Sequence, residues 1–214
     1  MPVPEPVLAR WFPVAADSPE RATRHRIAEH VRAMAAALVA VDVDGADLDD
    51  VELAAALLRA RLESLPSLRI DGSLTSVAPP DGALVERSPV SGRSNALAMP
   101  LTYRFDGERT FASAVFSAAY EGPPGGVHGG YVAAALDEVL GVAQMASGAA
   151  GYTGTLSIRY HRMTPLHATI EYEASPAERD GRKITVSARS TSDGVLLSEA
   201  EGVFITQDFL APRP

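Results

Sequence analysis

The chain has 214 residues, 46% hydrophobic and 21% charged, with a net charge of −8 and no cysteine. That length can bury a real core, as one domain with an appendage or as two small domains. The negative charge argues against a nucleic-acid partner gripped over the whole surface, although a few local arginines could still hold an anionic substrate. Absence of cysteine removes disulfides, thiolate nucleophiles and Cys-based zinc sites.

The opening MPVPEPVLARWFP has no basic start ahead of an apolar run, so it does not read as a signal peptide. The expectation is a cytoplasmic protein. Residues 18–65 then read as a helical pair. Ser18-Pro19 supplies an N-cap and a first-turn proline. Ile27, Val31, Met34, Leu38 and Val41 make one apolar stripe, and Val51, Ala55, Leu58, Leu62 and Leu65 make a second. Both helices need something to lie on, a sheet edge or an oligomer face. Asp42-Val43-Asp44-Gly45 with Asp47 between them has its glycine misplaced for a calcium loop, and His25 and His30 are wrongly spaced to share a metal. No metal site is expected. Residues 1–67 are accordingly a helical extension, and 68–214 the main domain.

From about residue 68 the pattern turns to strands. Asp106-Gly107, Asp180-Gly181 and Asp193-Gly194 are hairpin signals, because this dipeptide accepts the positive φ of tight turns. After a helix over about 128–147 come strands near 153–162, 168–178, 182–192 and 195–206, with a turn at Thr164-Pro165. An antiparallel sheet with one central helix follows, an α+β fold.

That helix carries the chemical signal. The Pro/Gly segment 121–126 cannot be helical, so the helix starts near His128-Gly129-Gly130. It is apolar on nearly every face, which predicts burial, yet it holds Asp137 and Glu138 and is too short and polar to span a bilayer. A buried carboxylate without a partner is costly and rarely kept without a role. Of the two acids, Glu138 is rotated by about 100° and reads as structural.

Glycines at a buried helix start expose N–H groups that have no partner within the helix, with the positive end of the dipole behind them. Gly129 and Gly130 would let a carbonyl oxygen approach and would stabilise an oxyanion there. Gly130 and Asp137, seven residues apart, share nearly one face but are separated by about 10 Å of rise. A reacting carbonyl needs donor and attacker each at roughly 3 Å. The site is therefore expected across a dimer interface, with the glycine turn of one subunit facing Asp137 of another. No G-x-S-x-G elbow suggests a serine hydrolase.

At these residues the sequence resembles the hotdog-fold acyl-CoA thioesterases of the phenylacetate-pathway and thioesterase-superfamily-member type. The resemblance runs over residues 86–206. It rests on Glu86-Arg87-Ser88-Pro89, Glu121-Gly122-Pro123-Pro124-Gly125, the His-Gly-Gly turn and the Asp nine positions after its His. Thr153, sixteen positions after Asp137, the strand LSIRYHRMTPL, Gly181-Arg182-Lys183 and LLSEAEGVFI complete it. It implies six antiparallel strands wrapped around the helix, a homodimer or dimer of dimers, and metal-free acyl-CoA hydrolysis. Coenzyme A would enter only as part of the substrate, with no cofactor. Asp137 would attack the thioester or activate water. Gly129 or Gly130 would hold the oxyanion, His128 would be the loop histidine, and Thr153 the hydroxyl beside the carboxylate. Arg159, Arg162, Arg182 and Lys183 are candidates for the CoA phosphates, although charged residues alternating along strands commonly just face solvent. Two rival readings are a non-catalytic acyl-CoA-binding module and an acyl-thioester hydratase or dehydratase. The former fits an apolar or amide residue better than an acid at 137. The helical extension is not part of the common core.

Overall fold

The computed structural model describes residues 18–44, 47–66, 86–99, 101–106, 109–146, 148 and 151–206. The expected boundary at 67/68 falls outside them. Helix α1 (Pro19–Leu38) starts as its sequence dictates, with Ser18 Oγ accepting from the Arg21 N–H at 3.2 Å.

The face that α1 turns inward is not the apolar stripe. His25 and Ala28 are buried, while Ile27, Met34 and Leu38 are exposed. The reason is polar docking. His25 Nε2 lies 2.6 Å from Glu86 Oε2, Ser94 Oγ donates to the same oxygen at 2.6 Å, and Arg32 donates to the Asn95 carbonyl at 2.7 Å. Burial pushes the Glu86 carboxyl up, but the bonds from Ser94 and His25 outweigh it and hold Glu86 below the ordinary value. Helix α2 (Asp49–Glu63) buries no residue, and Val51, Leu58, Leu62 and Leu65 remain exposed. Among the described residues neither stripe is buried.

Seven strands among the described residues form one antiparallel sheet: β1 (Thr102–Phe105), β2 (Thr110–Val115), β3 (Gly151–Tyr160), β4 (Thr169–Ala174), β5 (Glu178–Asp180), β6 (Lys183–Ser192) and β7 (Val195–Thr206). The order is β1-β2-β4-β6-β7-β3, with short β5 pairing β6. The expected strand over 168–178 thus splits into β4 and β5. Ser192 pairs Val195 across Asp193-Gly194, both with positive φ (48° and 75°), the backbone a two-residue hairpin needs. At the other hairpin Asp180 pairs Lys183, so the loop residues are Gly181-Arg182 and the aspartate belongs to the strand. Asp106 ends the β1 side of the third turn, and Gly107 lies outside the described residues.

Helix α3 (Gly129–Ala146) lies against the sheet. Ala135, Leu136, Val139 and Leu140 are fully covered. They meet the inner face of the sheet, where the period-two alternation buries Ile170, Tyr172 and Ala174 on β4 and Ile184, Val186 and Ala188 on β6. The fold is the α+β hotdog, a sheet wrapped around one helix, with the helical pair ahead of it.

Candidate active site

The loop before α3 is fixed almost atom by atom. Glu121 Oε1 accepts from the Gly125 N–H at 2.7 Å, Val127 N–H donates to the Thr164 carbonyl at 2.8 Å, and His128 N–H donates to the Tyr120 carbonyl at 2.8 Å. Gly125 has φ +75°, and a Cβ on Gly122 would sit 2.6 Å from His128 Cα, so both need glycine. The expected turn at Thr164-Pro165 is the strip of chain that backs this loop, bridged to Gly126.

The two glycine amides are not equivalent. Gly130 N–H donates to His128 Nδ1 at 3.0 Å, and the Gly129 carbonyl accepts from Tyr160 Oη at 3.1 Å. The Gly129–Gly130 peptide is therefore held on both sides. Gly129 N–H has no acceptor among the described residues, and a Cβ built on Gly129 meets nothing within 4 Å. Of the two expected donors, only Gly129 offers a free N–H at the open helix start. Because Nδ1 of His128 accepts, its proton sits on Nε2, which makes the exposed face of the ring a donor.

Asp137 is half-buried rather than sealed. It lies on the side of α3 that carries Gly130 and Gly141, the side the core does not cover. Its partner is Thr153, whose Oγ1 donates to Oδ1 at 3.0 Å, and no cation pairs with it among the described residues. Thr153 is aimed by a bulge: the β3–β7 register shifts between Thr153 and Thr155. The bulge re-aims the threonine toward the helix while Leu156 and Ile158 still pack on the core. Glu138 points elsewhere, taking hydrogen bonds from Ser88 Oγ (3.0 Å) and Ser91 Oγ, so it ties the 86–99 segment to α3.

The four expected phosphate-binding cations do not form one cluster within the chain. Arg159 pairs Glu199, which also pairs Arg189, whereas Lys183 sits six positions earlier on β6. That is about 20 Å along the strand at about 3.3 Å per residue. Arg159 and Arg162 flank Tyr160 at the end of the sheet next to the glycine turn; Arg182 and Lys183 lie at the opposite end. All four are exposed. The sequence reading missed Tyr160. Its signal was its parity with Leu156 and Ile158, which sets it on the helix side of β3.

Among the described residues no three ligand-type side chains converge on a metal position, and no helix is long and apolar enough to cross a membrane.

A sequence profile described as Thioesterase superfamily matches residues 124–198. A thioesterase superfamily protein of known crystal structure is 32% identical, covering 89% of this chain and 96% of that one, with a TM-score of 0.73. Acyl-coenzyme A thioesterase THEM4 of Bos taurus is 36% identical over 90 residues, 41% of this chain and 37% of its own length. Acyl-coenzyme A thioesterase THEM5 of Homo sapiens is 29% identical over 87 residues, 40% and 35% of the two lengths. The chain thus spans little more than a third of these curated relatives.

Proposed function

The chain belongs to the thioesterase superfamily, and from that premise we propose that it hydrolyses an acyl-CoA thioester to free acid and CoA, without a cofactor. One observation carries the reading: a carboxylate in the middle of an apolar helix, held by a hydroxyl and paired with no cation among the described residues. A structural salt bridge would explain such an acid, and among the described residues Asp137 has none.

In this reaction the thioester carbonyl oxygen rests on the Gly129 N–H, at the positive end of α3. Thr153 holds Oδ1 of Asp137, which leaves Oδ2 to take a proton from water or to attack the carbonyl carbon. Bond formation to that carbon pushes charge onto the oxygen beside Gly129. Collapse of the tetrahedral species expels CoA thiolate. On the general-base route the thiolate takes the proton that Asp137 removed from water. On the covalent route water then opens the acyl anhydride on Asp137 and supplies that proton, so CoA leaves as the thiol and the acid is freed. His128 anchors the turn through Nδ1 and presents Nε2–H to the substrate. A hydratase would need that histidine as a base, and its tautomer speaks for hydrolysis instead.

The rise along α3 separates Gly129 from Asp137 of the same chain, so the working site joins two copies as a homodimer, alone or within a dimer of dimers. Strand β3 supports this: ten residues long, at the edge of the sheet, exposed at most positions and ready to pair. Antiparallel pairing of two such edges brings the Lys183 end of one copy beside the Arg159 end of the other. Cations that separate within a chain then converge on one CoA. The test is Asp137→Asn. Turnover of a panel of acyl-CoAs, followed by trapping the released thiol, should fall by at least a thousandfold while CoA still binds. Undiminished turnover overturns the assignment.

A further inference from the structure

Between α1 and the start of α3 lies an open cavity of about 330 Å³. Ala33 and Ala36 of α1 line it together with Tyr120, Tyr131, Val115 and Leu97. It backs directly onto the glycine turn. The Tyr120 carbonyl holds the His128 N–H, and the Tyr131 N–H bonds the His128 carbonyl at 2.9 Å. Tyr131, which lines the cavity, follows Gly129 by two residues in the first turn of α3. The walls are set before anything binds. The Tyr120 and Tyr131 rings meet edge to face at 4.9 Å, Tyr120 Oη donates to the Ala98 carbonyl at 3.1 Å, and Arg32 fastens α1 to Asn95.

Resting on the thioesterase reading, we propose that this cavity receives the acyl group, so that the helical extension and not the common core sets which acids are released. The cavity adjoins the turn that carries Gly129, which puts it in reach of an acyl tail whose carbonyl oxygen sits there, and its lining is mainly apolar, with Arg32 and Ser117 the polar members. At about 30 Å³ per water-sized group the space takes roughly ten heavy atoms, which fits a medium-chain aliphatic or a single-ring acyl group. The alanines create the room. Ala33 and Ala36 occupy positions on α1 where a leucine is nearly as helix-favouring but would fill the cavity.

The experiment uses the full chain with Ala36→Leu and, separately, Ala33→Leu, each checked by thermal melting and size-exclusion chromatography. The readout is the ratio of kcat/KM for octanoyl-CoA over acetyl-CoA. It should fall at least tenfold in both variants. An unchanged ratio in both overturns the proposal. A parallel loss on both substrates with a changed oligomeric state also overturns it, because another copy of the chain then occupies the groove. A binding arm separates this idea from the catalytic one. The thioether S-octyl-CoA should bind the wild type more tightly than CoA itself, and Ala36→Leu should erase that preference. If the wild type cleaves no thioester but shows this preference, the hydrolase reading fails and the acyl cavity stands. If it cleaves thioesters with no preference to erase, the cavity fails alone.

Discussion

Thr153 does two things for Asp137 at once. Its hydroxyl neutralises part of the charge on Oδ1, and its position beyond the bulge settles which oxygen of the carboxylate stays free. A valine in its place keeps the branched shape and strand preference while removing the donor. A hydrogen bond to a charged group contributes about 1.5–3 kcal/mol, so Thr153→Val should lower kcat by about ten- to a hundredfold with KM within a few-fold. Steady-state kinetics on one acyl-CoA decides it, and a kcat within twofold of wild type would deny the threonine this part. Asp137 and the glycine pair stand out in the sequence, because an acid in an apolar helix and glycines at its start are local anomalies; Thr153 comes only with the family resemblance, since a threonine on a strand is no anomaly. That Gly130 spends its N–H on His128 was not visible. The choice between two adjacent amides depends on where an imidazole swings and on Tyr160 Oη arriving from a distant strand.

The sheet carries its own anomaly. Tyr172 on β4 pairs Ser190 on β6, which pairs Ser198 on β7, a single row of hydroxyls beneath α3. All three side chains are buried and none has a hydrogen-bond partner among the described residues. A buried hydroxyl left without a partner costs about 1–3 kcal/mol, whereas an apolar isostere carries no such cost. Tyr172→Phe should therefore raise the melting temperature by about 2–4 °C per kcal/mol recovered, and a fall of that size would show that the phenol is satisfied after all. The elements themselves were readable where the signal was local: the α1 cap, the Asp193-Gly194 hairpin and the extent of α3 within a residue at each end. Strand order was not, since β3 leaves α3 to pair β7, four elements later in the chain, and periodicity says nothing about partners. The α1 stripe misled for a related reason. Apolar spacing names a face able to be buried, but His25, Arg32 and the alanines supply the one that docks on the 86–99 segment.

At the level of the whole molecule the question is which copy supplies which half of the site. Gly129 stands at the first position of α3, where proline is favoured because the missing N–H has no helical acceptor, and a Cβ there meets nothing within 4 Å. Gly129→Pro thus deletes the proposed oxyanion donor with little demand on the fold. Asp137→Asn deletes the acid. Each variant alone should be inactive. Co-expressed with different tags, they pair at random, and in a two-fold dimer about half the assemblies are mixed, each with one intact site and one doubly damaged site. The pool should recover about a quarter of wild-type activity, and the doubly tagged fraction about half, both read as thiol released per site. A site built within one chain gives the opposite result. Every chain would then carry a lesion in its own site, and the purified mixed dimer would be as dead as its parents.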